Sequence, residues 1–265
     1  SNHQKRFGGH IRDLCHRFAN SVTEFTPMSA SAVVKRQNRG ALSVRSFINT
    51  QGRRRDIYNK VSRFLKHYAL FSIIIDTSGS MQGSAGSHRT KISYTKDAAY
   101  SFCDGLAQKK IPFELLTYGS FDNCDPMECW DPIEIIHPIE NLSNFSIKER
   151  NRLAYIKADG GQSDVLALES SAARLFELAG TFECIPFFLM ICDGCTGIEL
   201  KYAVQKVRKS GGIVVGVGLM LSADEKEEFF INFENNGIIV DDMNLLVPAI
   251  THKLIIERNR ILLLN

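Results

Sequence analysis

The chain has 265 residues, 44% hydrophobic and 23% charged, with a formal net charge of +3. That is ordinary for a soluble globular protein, with room for one large domain or a domain plus an arm. No apolar run approaches the length of about 20 residues that crosses a bilayer, and no signal-peptide pattern is present. The first residues are Ser1-Asn2 with no Met, so a fragment of a longer protein is expected.

Charge is uneven. Residues 1–66 hold fourteen Lys and Arg against three Asp and Glu, a net of +11, and the remainder holds eighteen against twenty-six, a net of −8. A basic arm over 1–66 ahead of an acidic domain over 67–265 suggests docking on something negative. The candidates are nucleic acid, an acidic partner, or the chain's own acidic face. Within the arm, Ile11, Leu14, Cys15 and Phe18 predict one amphipathic helix in 1–26, and Pro27 to Gly40 reads as a loop or linker. Gly40 to Gly52 carries Leu42, Val44, Phe47 and Ile48 in a mixed period. Arg53-Arg54-Arg55 suits phosphate or a solvated turn, with no interleaved aromatics to stack single-stranded bases.

Phe71 to Asp76 is a short apolar run rich in β-branched residues, as in a strand buried on both faces. Asp76, Ser78 and Ser80 follow at alternate positions around Gly79. Hard oxygen ligands on a small-residue loop suit Mg²⁺, with Mn²⁺ or Ca²⁺ as alternatives. Two neutral hydroxyls compensate little of the ion's charge, so a carboxylate from another protein can complete its shell.

Lys91 to Lys109 is predicted helical from Ile92, Thr95, Ala98, Ala99, Phe102, Cys103 and Leu106. Phe113 to Tyr118 is a strand, and Asn123 to Pro138, with Trp130, reads as a surface insertion. Helices are predicted over Ile147 to Lys157 and Asp164 to Leu178, the latter with Ser163 or Asp164 as N-cap. Pro186 opens a strand that ends at Cys192-Asp193-Gly194. A helix over Gly197 to Lys209, a strand over Ile213 to Leu219, a short helix over Asp224 to Phe230, an edge strand over Gly237 to Val240 and a last helix over Asn244 to Arg260 follow. Gly216-Val217-Gly218 lies inside a strand and lacks the third glycine of a dinucleotide loop. This alternation implies an α/β fold, a doubly wound, mostly parallel sheet with helices on both faces. Ligands in such sheets bind beyond the carboxyl ends of the strands, where Asp76 and Asp193 both fall.

Seven cysteines, an odd number, point to free thiols in a reducing compartment such as the cytoplasm. Cys124, Cys129, Cys192 and Cys195 have spacings a Zn²⁺ site could use, but Cys192 belongs to a buried strand and is expected to face the core.

Asp76-Thr77-Ser78-Gly79-Ser80-Met81 resembles the metal-ion-dependent adhesion site, Asp-x-Ser-x-Ser, of von Willebrand factor A domains. By that resemblance Asp193 is the last metal-site acid, and Asp122 stands where an outer acid is often found. The family's Gly-Gly-Thr is here Gly160-Gly161-Gln162-Ser163-Asp164, so Gln162 replaces the Thr ligand, and Ser163 or Asp164 could supply the oxygen. The segment is similar to Asp-Gly-Glu-Ala-Leu in the von Willebrand A subunit of cobalt chelatase, a likeness extending to Gly40 to Lys60, to the insertion and to Ile213 to Leu219. It implies a short helix over Gly40 to Gly52, a non-catalytic adaptor, a ring-forming AAA+ ATPase partner of the MoxR or chelatase type, and a client that donates Asp or Glu. No Gly-x-x-x-x-Gly-Lys loop is present, so any ATPase is another chain or part. An enzyme is the other class: Asp76 on a strand end resembles the nucleophile of haloacid-dehalogenase phosphatases, but the second acid they need is Ser78 here.

Overall fold

The computed structural model describes residues 28–37, 41–42, 58–66, 69–85, 89–119, 133–161, 163–182, 184–194 and 197–264. These fall into two compact units, one spanning Pro27–His67 and the other containing Tyr68–Asn265.

The smaller unit is a three-stranded antiparallel sheet of β1 (Met28–Gln37), β2 (Ala41–Leu42) and β3 (Tyr58–Lys66), in the order β1-β3-β2. β1 runs against β3 with Val33 opposite Val61 and an irregularity between Val34 and Gln37. This corrects two expectations. Pro27 to Gly40 is largely strand rather than linker, and residues 28–66 of the basic arm, where described, are extended rather than helical. Ser-Ala-Ser-Ala-Val-Val reads as loop by polarity, but its β-branched valines and small residues suit a ladder once a partner strand supplies hydrogen bonds. Ala41 and Leu42 are likewise strand. The amphipathic helix in 1–26, the triple arginine and residues 43–52 lie outside the described residues.

The larger unit has six strands: β4 (Ala69–Asp76), β5 (Phe113–Tyr118), β6 (Ile133–His137), β7 (Ile185–Cys192), β8 (Ile213–Leu219) and β9 (Gly237–Val240). Their order is β6-β5-β4-β7-β8-β9. All neighbouring pairs are parallel except β5 with β6. Among its described residues six helices accompany them: α1 (Lys91–Gln108), α2 (Ile147–Tyr155), α3 (Asp164–Phe182), α4 (Ile198–Lys209) and α5 (Ala223–Phe233) lie between strands, and α6 (Leu246–Leu264) follows the last. Every residue of β4 is buried, as a central strand covered on both faces must be. Phe71, Ile73 and Ile75 join one core with Phe102 and Leu106 of α1 and Ile250 and Leu254 of α6. Leu70 and Ile74 join the other with Leu168 and Leu175 of α3, Val204 of α4 and Phe229 and Phe233 of α5. Two independent cores on opposite faces are what doubly wound connectivity produces.

The strand glycines serve packing rather than a cofactor. A Cβ on Gly216 would come within 2.4 Å of the Phe233 ring, so the bare backbone lets α5 lie against β8. The expected surface insertion is corrected at its end: Ile133–His137 is an edge strand with Ile136 and His137 buried. Its prolines and acids disguised it. His137 sits between acceptors, its Nδ1 at 2.9 Å from Glu149 and its Nε2 at 3.0 Å from the Leu142 carbonyl. Asp122, Cys124, Cys129 and Trp130 lie outside the described residues.

Candidate metal centre

β4 and β7 run in parallel with Ile75 beside Ile191, so their carboxyl ends finish together and present Asp76 and Asp193 on one rim. The chain then turns sharply. The Ser78 amide donates to Asp76 Oδ1 at 2.7 Å, and Gly79–Gln82 forms one 3₁₀ turn. Met81 plugs that turn into the α1-side core. The turn carries Ser78 and Ser80 back over the strand end. The Ser78 and Ser80 hydroxyls are 2.9 Å apart, and Ser80 Oγ donates to Asp193 Oδ1 at 2.7 Å. The oxygens of Ser78, Ser80 and Asp193 therefore form one continuous chain, to which the Ser78 amide ties Asp76. Its two acids are buried while Gly79 and Ser80 are exposed, so it runs from core to solvent.

A third loop closes beside it through main-chain bonds. The Gly79 amide donates to the Gly160 carbonyl at 3.0 Å, and the Asp159 and Gly160 amides donate to the Thr77 carbonyl at 3.1 and 3.3 Å. The Gln82 side-chain amide also reaches the Ala158 carbonyl. Gly119, just past β5, has φ +91°, and a Cβ there would stand 2.2 Å from the Gly161 carbonyl oxygen. Glycine at 119 is what lets this loop approach.

Ser163 and Asp164 begin α3 from this loop. The Ser163 carbonyl accepts the Ala167 amide at 2.9 Å, and Asp164 Oδ1 accepts the Val165 amide at 2.8 Å. Ser163 thus stands at the N-cap position and Asp164 is the first helical residue. Asp164 stands one loop over from the oxygen chain. Burial, and then Glu199 of α4, hold its carboxyl above the usual range against the Val165 amide. Gln162 lies outside the described residues.

Burial pushes the Asp76 carboxyl from 3.8 up to about 6; the Ser78 amide and hydroxyl oppose this, and repulsion from Asp193 adds to it. A cation on the rim would relieve both penalties.

The donor set fits a small hard divalent ion. Adjacent oxygens of an octahedral shell at about 2.0–2.1 Å from Mg²⁺ lie about 2.8–3.0 Å apart. The links from Ser78 to Ser80, at 2.9 Å, and from Ser80 to Asp193, at 2.7 Å, are close to that edge. Among the described residues no three His, Cys, Asp or Glu gather into a cage, so the site would depend on alcohols as much as acids. Cys192 is turned into the core, its Sγ 3.8 Å from the Val217 carbonyl, as expected for a buried strand residue.

Lys91 was not singled out from sequence. Its Nζ donates to Asp193 Oδ2 at 2.9 Å. A signal was present: a lysine opening a helix opposes the macrodipole, so an anion close by is needed to hold it there.

No family model matches the chain, and no curated protein matches it. Solved structures do. The pilus adhesin SpaC from Lactobacillus rhamnosus GG is 12% identical with a TM-score of 0.55, the match covering 71% of this chain and 30% of that one. A von Willebrand factor type A protein from Catenulispora acidiphila is 15% identical with a TM-score of 0.50, covering 86% of this chain and 49% of that one. Proximal thread matrix protein 1 from the mussel byssus, solved with a zinc-occupied MIDAS motif, is 15% identical at a TM-score of 0.47, covering 71% and 45%. The chain spans less than half the length of each. At these identities the first two likenesses show architecture alone: the unit containing Tyr68–Asn265 has a doubly wound α/β fold, consistent with that of the von Willebrand factor type A protein.

Proposed function

We propose that the rim joining β4 and β7 is a divalent-ion site through which the chain binds an acidic side chain of a partner protein, without breaking or making a covalent bond. Asp76, Ser78, Ser80 and Asp193 would hold the ion, with Ser163 or Asp164 adding an oxygen from the neighbouring loop. When bound, the ion supplies an electron-poor coordination position that an outside carboxylate can fill. The observation that carries this reading is the oxygen chain itself, at 2.9 and 2.7 Å, exposed at Ser80 and buried at its acids.

Mg²⁺ is the ion proposed for the cell, and Mn²⁺ or Ca²⁺ would use the same oxygens. The client donates Asp or Glu. The likeness of Gly160 to Leu168 to the chelatase subunit supports an AAA+ ATPase of the MoxR or chelatase type as working partner. Cys103, Cys184 and Cys192 are buried thiols, which suits the cytoplasm. No helix among the described residues is long and apolar enough to cross a membrane.

The test is calorimetric titration of Mg²⁺ and Mn²⁺ into the protein and into Asp76→Ala, followed by capture of an Asp- or Glu-bearing client in the presence and absence of EDTA. Heat of binding lost in Asp76→Ala, with an unchanged circular-dichroism spectrum and EDTA-sensitive capture, is the expected result. Capture that survives EDTA overturns the reading.

A further inference from the structure

Lys91 opens α1 directly behind the ion loop, and its side chain is 16% exposed against 1% for the Asp193 carboxylate it bonds. The loop boxes it in. Its own amide donates to the Gly83 carbonyl at 3.0 Å, and a Cβ on Gly83 would meet Lys91 Cε at 3.6 Å and Nζ at 4.0 Å. Both oxygens of Asp193 are engaged, Oδ1 by the Ser80 hydroxyl and Oδ2 by this ammonium. A positive charge thus already neutralises one of the two acids that would attract an ion.

We propose that Lys91 is a tethered competitor of the divalent ion: it holds Asp193 in the ion-free protein, keeps intrinsic ion affinity low, and leaves firm occupancy to the moment when a partner carboxylate adds its own charge. This rests on the reading of the rim as an ion site. The physical ground is Coulombic. An ammonium one contact away from a ligand oxygen repels a doubly charged ion strongly in a partly buried site. A second acceptor is close. Glu225, at the start of α5, lies 3.9 Å by its Oε1 from where a Gly194 Cβ would stand. Bonds from the Ser222 amide and hydroxyl chiefly hold its carboxyl below the ordinary range, and the charge of Lys91 contributes. An ion that takes Asp193 would leave the ammonium within the electrostatic reach of Glu225.

The experiment is titration calorimetry of Mn²⁺ and Mg²⁺ into wild type, Lys91→Met and Lys91→Arg, with thermal melts of each, with and without ion. Lys91→Met is expected to bind either ion roughly tenfold tighter or more, whereas Lys91→Arg, which keeps the charge, stays near wild type. Glu225→Gln leaves every proposed ligand in place. It is expected to weaken binding several-fold in the wild-type background and clearly less in Lys91→Met, a non-additivity that lost folding would not produce. Wild type and Lys91→Met binding with equal affinity overturns the competitor role while leaving the ion site standing. No heat and no ion-induced rise in melting temperature in any variant overturns both.

Discussion

Burial raises the carboxyls of both Asp76 and Glu149, but set against their hydrogen-bond donors the balance falls in opposite directions. For Asp76 burial wins over the Ser78 donors, and the pKa rises from 3.8 to about 6. A raised folded-state value means the folded state prefers the proton. The group's contribution to stability is complete below 3.8 and is lost as pH rises through about 6. At pH values above that, without divalent ion, Asp76→Asn is expected to raise the unfolding free energy by about 1–3 kcal/mol in urea melts. The same variant should lose any stabilisation by Mn²⁺, since it lacks the charge the ion needs. At Glu149 burial pushes the carboxyl up, but bonds from Ser146, Asn141 and His137 outweigh it and bring the pKa below 4.5. Its stabilising effect is present above 4.5 and lost as pH falls. Glu149→Gln is expected to cost about 1–3 kcal/mol at neutral pH, because three donors lose their anionic acceptor. It should also flatten the acid limb of a stability-against-pH curve.

The elements differ in how openly the sequence declared them. Phe113 to Tyr118 and Ile213 to Leu219 form with the predicted bounds, and β4 and β7 within two residues, because a strand covered on both faces is mostly apolar; the part-buried edge strand Gly237 to Val240 also keeps its bounds. β6 escaped because it is half-exposed at an edge, flanked by Pro132 and Pro138, and held by long-range pairing that no local pattern states. β1 escaped for the same reason, its ladder with β3 joining segments some thirty residues apart. At the candidate site, Asp76, Ser78 and Ser80 were legible from a strand end and oxygen spacing, and Asp193 from a strand end and the family resemblance. Lys91 was not, because its partner lies 102 residues away. The loops around the site impose a sharper requirement than the strands. Gly119→Ala forces a positive φ on a residue with a side chain and drives its Cβ into the Gly161 carbonyl. A loss of about 2–4 kcal/mol is expected, with weaker ion binding even though no proposed ligand is changed.

Across the molecule, the proposed ion binding would be linked to folding. An ion that binds only the folded chain, present at about one hundred times its dissociation constant, adds about 2.7 kcal/mol to unfolding. A melting temperature that climbs with Mg²⁺ and falls back with EDTA is expected. The separation of +11 in residues 1–66 from −8 in the rest adds a discriminating test. Capture through an ion and a carboxylate is a short contact and should persist at about 0.5 M salt yet fail with EDTA, while capture through the basic region should do the reverse. The bonds of Thr77 and Gly79 to Asp159 and Gly160 run wholly through peptide groups. Mutation can therefore rewrite the side chains that border the rim while the backbone scaffold beneath it is inherited intact.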